Sequence, residues 1–358
     1  MQRLHRLDGL RGVLAVYVML GHALPFTVAP AWVQTPFSHG EAAVDLFFAL
    51  SGLVIINSVD RFEGAFWPFM RARARRLLPV YGVALVFALA VLAVGTPVLP
   101  WVGVAGRHIM EAGLPSPLWA HVLAHLTLTQ GLIPQGALPF AYVTLLGPAW
   151  SLSTEWQFYV VIGLCAPRDF RVVACVLMAA GLAYHAVSGW LPPWWGFSRA
   201  FLPDAAPYFA LGLASAAWLR GQGVACLLVC AGLAMGLGSG SGRFVIPLVW
   251  LLVLAALKHP AGRVLEGRVV QFLGAVSYPL YLFNEPVQRG LALLTPFHSG
   301  LIFSLLWLPI SVVVVVGLSW LIHEALEVDR PRPKIAKVFW RLFVHKKKSL
   351  LPSSRAPG

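Results

Sequence analysis

The chain has 358 residues, of which 58% are hydrophobic and only 11% charged; soluble domains carry about a quarter charged residues, so this composition, with a mean hydropathy of +0.75, excludes an ordinary water-soluble globule. A formal net charge of +13 would suggest nucleic acid as the partner of a soluble protein, but here the basic residues stand between apolar runs and in the C-terminal tail, where a membrane surface accounts for them. Cys165, Cys175, Cys226 and Cys230 lie in or beside apolar segments without metal-site spacing and read as packing residues.

The first apolar run, 10–29, contains Arg11 and His22 and no convincing cleavage site, so it reads as a retained span. Their eleven-residue separation is about 16 Å on a helix, roughly half a bilayer core. Arg11 could then hold an anion at the inner surface while His22 does proton chemistry near mid-membrane, where ionisable groups are costly and signal function. The plain alternative for His22 is a helix-packing histidine. The second run, 40–58, carries Glu41 and Asp45 near its outer end; Asp45 is placed to orient a histidine or to cap the helix, and Ser51–Gly52 reads as a close-packing or kink site. The stretch MRARARRLLPVY leads into the third run, 77–97. Arg73 and Arg76 share a face at i,i+3 and form a fork for phosphate oxygens, unless the cluster is only a topological anchor.

Residues 98–148 contain Pro115, Pro117, Pro134, Pro139 and Pro148. A span at 118–133 would carry every later basic cluster outside, against the positive-inside rule. The segment therefore reads as a long outer stretch with an interfacial or re-entrant helix, covering a site. Its His108, His121 and His125 have no obvious further ligand, and no metal is expected.

The fourth run, 149–166, opens on Trp150 and carries Glu155. A carboxylate in an apolar segment needs a partner, and His22 is the candidate, as a general base whose tautomer the carboxylate fixes; a hydrogen-bonded cluster of Ser151, Ser153, Thr154 and Glu155 is the alternative. Runs follow at 171–189, 204–219, 223–241 and 244–258. The ninth, 270–288, brings in Tyr278, Tyr281, Asn284 and Glu285, which could line a sugar or acyl path or form an interface belt; the tenth is 301–323. The expected fold is an all-α polytopic bundle of about ten transmembrane helices over 1–325, both termini cytoplasmic, with a basic cytoplasmic tail at 326–358. No internal repeat is visible, which counts against inverted-repeat transporters, although a proton-coupled transporter using His22 and Glu155 as a relay stays open as the rival reading.

Five stretches then resemble the membrane acyltransferase-3 family: LDGLRG with Arg11 and His22 eleven positions apart, DLFFALSGLVI, Arg73 and Arg76 followed by LLPVY, AWSLSTEWQFY, and VSYPLYLFNEP. They fall in the family's order over residues 7–327. The resemblance implies a bacterial inner-membrane O-acyltransferase that moves an acetyl or other short acyl group from acyl-CoA to a hydroxyl of a surface glycan, its lipid-linked precursor or a glycosylated small molecule. It implies His22 as catalytic residue, assisted by Glu155 or Asp45, with Arg11, Arg73 and Arg76 on the donor; Trp150, Tyr278, Tyr281 and Asn284 are expected on the acceptor side. Acyl-CoA, the acceptor and the bilayer are the expected partners, without nucleic acid. Asn284 departs from the histidine found there in many relatives. No fused esterase-like domain is visible, so transfer is expected to be direct or through a separate partner.

Overall fold

A computed structural model describes residues 2–95, 99–102, 113–165, 169–239, 242–294 and 299–327. Arg107, His108, Arg168 and the tail beyond 327 lie outside the described residues. Within them the chain is helical, with no strand, as expected where every backbone N–H and C=O must be satisfied inside its own segment. The longer helices are α1 (Gln2–Ala23), α2 (Gly40–Arg61), α3 (Phe66–Val94), α4 (Leu118–Leu126), α5 (Trp150–Cys165), α6 (Phe170–Ser188), α7 (Leu202–Leu219), α8 (Ala225–Gly238), α9 (Val245–Ala256), α10 (Arg268–Ala275), α11 (Ser277–Leu293) and α12 (Gly300–Leu326).

Each of the ten apolar runs carries a helix. Among the described residues, five stretches are long and apolar enough to cross a membrane outright: His5–Phe26, Ala31–Arg61, Phe66–Val94, Phe170–Ser188 and Gly300–Leu326. The segment after α9 turns by 96°, close to a right angle, into Pro260–Glu266. Two boundaries differ from the sequence expectation. α3 starts at Phe66, not at 77, so Arg71, Arg73, Arg75 and Arg76 all lie inside a helix and project from it at fixed angles. The ninth run breaks at Val276 into α10 and α11.

Burial varies sharply between helices. α7 is buried on nearly every side, whereas α12 leaves Leu301, Leu305, Ile310, Val313 and Leu321 exposed, the pattern of an apolar helix facing lipid. Glycines set the tightest approaches. A Cβ on Gly52 of α2 would lie 2.4 Å from the Phe209 carbonyl oxygen of α7, and one on Gly212 would lie 2.1 Å from the Ala49 oxygen. This reciprocal contact is the small-residue packing that brings membrane helices together. The LDGLRG stretch does the same at the start of α1. Cβ atoms on Gly9 and Gly12 would collide with the Leu265 carbonyl oxygen at 2.1 Å and the Gly274 nitrogen at 2.5 Å. Arg6 fastens the same end, pairing with Glu266 at 2.6 Å and donating to the Ala256, Leu257 and His259 carbonyl oxygens. Arg6 thus caps the C-terminus of α9, where a cation complements the helix dipole. These contacts fix the depth and rotation of α1, and with them the positions of Arg11 and His22.

Candidate active site

A cavity enclosing about 870 Å³ of empty space, its open mouth included, lies between α1, α2, α3, α5 and α11. Arg11, Arg73 and Arg76 line it, with Glu155, Ser51 and Tyr159, and its apolar wall includes Phe47, Phe48, Val54, Ile55, Leu77 and Leu152. Tyr278 and Tyr281 close the α11 side. The three arginines singled out from two separate sequence stretches therefore meet in one cavity. Among the described residues they face a single lining carboxylate, Glu155, so the described lining carries an excess of positive charge, a match for several phosphate oxygens.

Each arginine is held differently. Arg11 pairs with Asp8 at 3.2 Å, one turn back on α1. Arg73 donates to the Ser58 hydroxyl of α2 and lies over the rings of Phe69 at 5.6 Å and Tyr159 at 5.4 Å. Its buried Nε has no hydrogen-bond partner, a polar group costly to leave unsatisfied. Arg76 is exposed at the mouth. Glu155 accepts from the Ser51 hydroxyl at 2.7 Å and from Tyr159. Two expectations change here. Glu155 does not hydrogen-bond His22, and its partners are not Ser151, Ser153 or Thr154. Ser51 supplies the polar contact that lets a carboxylate persist among apolar helices.

His22 stands beyond the cavity and does not line it. Its Nδ1 lies 2.6 Å from the Oδ1 of Asn284. Asn284 is fully buried and sits one turn past Tyr281 on α11. The rings of Phe47 and Tyr281, 5.9 Å apart, form the wall at this end of the cavity. The Tyr281 hydroxyl is fixed by Ser151 at 2.9 Å and donates to the Pro148 carbonyl at 3.0 Å. His22 itself stays partly exposed. Above it the chain folds back over the end of α1, with the Tyr17 hydroxyl donating to the Pro36 carbonyl at 2.6 Å and Gly21 facing the Phe37 carbonyl.

The residues expected on the acceptor do not share one surface. Tyr278 and Tyr281 wall the arginine-lined cavity, and the Tyr278 hydroxyl is committed to the Leu77 carbonyl at 2.9 Å. Asn284 has no exposed surface, and Trp150 lies beneath Arg199, 4.7 Å from its guanidinium carbon. Asp45 neither orients His22 nor caps α2. It is 1% exposed, paired with Arg199 at 3.3 Å and Arg243 at 3.1 Å. The reason is helical register: Asp45 lies two turns from Gly52 and shares its face, which packs on α7, whereas Ser51 turns into the cavity. Arg199 and Arg243 extend this cluster to Glu41 and Asp204, and His185 reaches Asp204 at 3.7 Å.

The segment expected to cover a site does pack closely on the bundle. His121 contacts the Thr144 hydroxyl at 2.9 Å, and His125 donates to the His121 carbonyl at 3.0 Å. Burial pushes the His125 imidazole down to about 4, so it is neutral near pH 7 and acts as packing. Gln130 donates to the Ala149 carbonyl, and Ser153 bonds the Leu128 carbonyl at 2.7 Å. These contacts seat the segment against the start of α5, next to the Pro148 carbonyl that holds Tyr281.

Comparison with known proteins now gives the family. The acyltransferase domain family matches residues 4–324. Protein 2 in the picA locus of Rhizobium radiobacter is 34% identical over 213 residues, covering 51% of this chain and 97% of its own. BcsY of Komagataeibacter xylinus is 28% identical over 351 residues, covering 90% of this chain and 82% of its own. The exopolysaccharide production protein ExoZ of Rhizobium meliloti is 28% identical over 270 residues, covering 69% of this chain and 76% of its own. No solved structure matches. With the family match spanning nearly the whole chain and the arginine-lined cavity lying inside it, the chain belongs to the acyltransferase-3 family and is a multi-pass membrane acyltransferase.

Proposed function

We propose that this acyltransferase takes an acetyl or other short acyl group from acyl-CoA at the inner face of a bacterial plasma membrane and passes it to a hydroxyl of a surface glycan or its lipid-linked precursor. The observation that carries the reading is the convergence of Arg11, Arg73 and Arg76 on one cavity whose Tyr281 wall lies one helical turn from Asn284, the partner of His22. The glycan class is supported by the name of ExoZ, an exopolysaccharide production protein. The orientation is supported by charge: Arg6, Arg11 and the α3 arginines gather at one end of the bundle, with Lys258, Arg263 and Arg268 in the segments packed there, which favours that end as the inner one. In this orientation the ten helix-bearing runs are ten spans.

The chemistry follows from what each group can do. The guanidiniums hold the phosphates of coenzyme A, and the pantetheine arm lies along the apolar wall. With the Phe47 and Tyr281 rings displaced, the thioester reaches His22. His22 accepts the proton of the acceptor hydroxyl as its oxygen attacks the thioester carbon. The C–S bond breaks, the ester forms, and the imidazolium returns its proton to the departing thiolate. Glu155 stays with Ser51 and Tyr159, and offsets part of the cationic charge when no phosphate is bound.

Purified protein in nanodiscs tests this reading directly: thiol release from acetyl-CoA should depend on added glycan acceptor. Solute movement driven by a pH gradient, without release of coenzyme A, would instead establish the transporter. The double variant Arg73→Ala/Arg76→Ala is expected to raise KM for acyl-CoA about a hundredfold, because hydrogen bonds to charged groups contribute about 1.5–3 kcal/mol each. Its kcat should stay within a few-fold, a combination that steady-state kinetics at fixed ionic strength will check.

A further inference from the structure

We infer that Asn284 fixes the tautomer of His22, holding a proton on Nδ1 and leaving Nε2 as the free base; this rests on the reading of His22 as the residue that accepts the acceptor's proton. The Nδ2 of Asn284 donates to the Tyr281 carbonyl at 2.6 Å and the Leu280 carbonyl at 3.2 Å. Turning the amide over would set its oxygen against those two carbonyl oxygens, so the orientation is dictated by the backbone of α11. The Oδ1 therefore faces His22 Nδ1 at 2.6 Å. An amide oxygen only accepts, so Nδ1 must be the donor, and a neutral imidazole with its proton on Nδ1 carries its lone pair on Nε2.

The carboxylates that could have done this are engaged elsewhere. Glu155 is held by Ser51 and Tyr159, Asp45 lies between Arg199 and Arg243, and Glu285 is paired with Arg289 at 3.0 Å. Asn284 is thus a positioning residue acting through His22, a neutral counterpart of the carboxylate that orients histidine in hydrolase triads. A neutral orienter fixes geometry without adding a charge at a fully buried position.

The test compares Asn284→Leu, Asn284→Asp and His22→Gln in nanodiscs, by acetyl-CoA binding, by the pH dependence of transfer, and by the ring-nitrogen NMR signals of labelled histidine, with His22→Gln assigning the His22 resonance. Asn284→Leu should lower kcat at least about a hundredfold, since a wrong tautomer costs up to about 10⁴ in triads, with KM for acetyl-CoA within about threefold. Its His22 signal should lose the Nδ1–H tautomer. Asn284→Asp keeps an acceptor for the Nδ1 proton but sets its second oxygen against the Tyr281 and Leu280 carbonyls, so it should recover only part of the kcat lost in Asn284→Leu; the acidic limb of its pH–rate profile should move to higher pH, because a carboxylate stabilises the imidazolium. A folded Asn284→Leu protein with wild-type kcat and an unchanged tautomer overturns the inference, as does a wild-type His22 protonated on Nε2. If His22→Gln keeps full activity, the reading of His22 as the base fails, and the NMR comparison still decides whether Asn284 sets the tautomer.

Discussion

His22→Gln is expected to lower acyl transfer about a thousandfold, within the range that a general base contributes, while acetyl-CoA binding changes less than threefold. The split follows from where the residue stands. His22 does not line the arginine-bearing cavity and touches none of Arg11, Arg73 or Arg76 among the described contacts. The groups assigned to the phosphates are therefore untouched by the change. Isothermal titration with a non-reactive acyl-CoA analogue, beside turnover of the same preparation, measures both quantities. Equal losses in binding and turnover would place His22 in donor binding instead of proton transfer.

Asp45→Ala is expected to cost about 3 kcal/mol of stability, the lower end of the range for breaking a buried ion pair, with little change in kcat per folded molecule. Asp45 is almost wholly buried between Arg199 and Arg243, so its loss leaves two guanidiniums short of a counter-charge. The cost stays at the lower end because Glu41 still pairs with Arg199, and Asp204 lies 3.4 Å from Arg243. Equilibrium unfolding in mixed micelles checks the stability, and turnover normalised to folded protein checks the rate. A stable Asp45→Ala protein without activity would return Asp45 to the catalytic residues.

The helices were legible because their physical cause is local. A membrane-length apolar run reports its own existence, and all ten runs carry helices. Their edges were less legible: Phe66–Met70 and the arginines after it are too polar on average to signal a span, yet they extend α3 by eleven residues ahead of the expected start at 77. The arginine convergence was legible from depth, because Arg11 and the Arg73–Arg76 pair both fall at the inner ends of their runs. The partners of the buried polar groups were not, because pairing across 262 residues, as between His22 and Asn284, depends on helix rotation. Asp45 shows the same limit. Arg199 and Arg243 stand in connecting segments, where charge counting treats them as topology signals, and only the register of α2 against α7 turns Asp45 towards them. Ser51 and Tyr159 had one usable signal between them: Tyr159 lies one helical turn after Glu155, the i,i+4 spacing of side chains that meet.

The central claim is that a donor held by guanidiniums at one end of the cavity delivers its acyl group past the Phe47–Tyr281 ring pair to His22. Electron cryo-microscopy of the protein with a non-hydrolysable thioether analogue of acetyl-CoA tests it most directly. The expected map shows the phosphates on Arg11, Arg73 and Arg76, the Tyr281 ring turned aside, and the acyl end against the His22 imidazole. Phosphates bound away from those arginines, or an acyl end stopped behind a closed ring pair with His22 untouched, would contradict it.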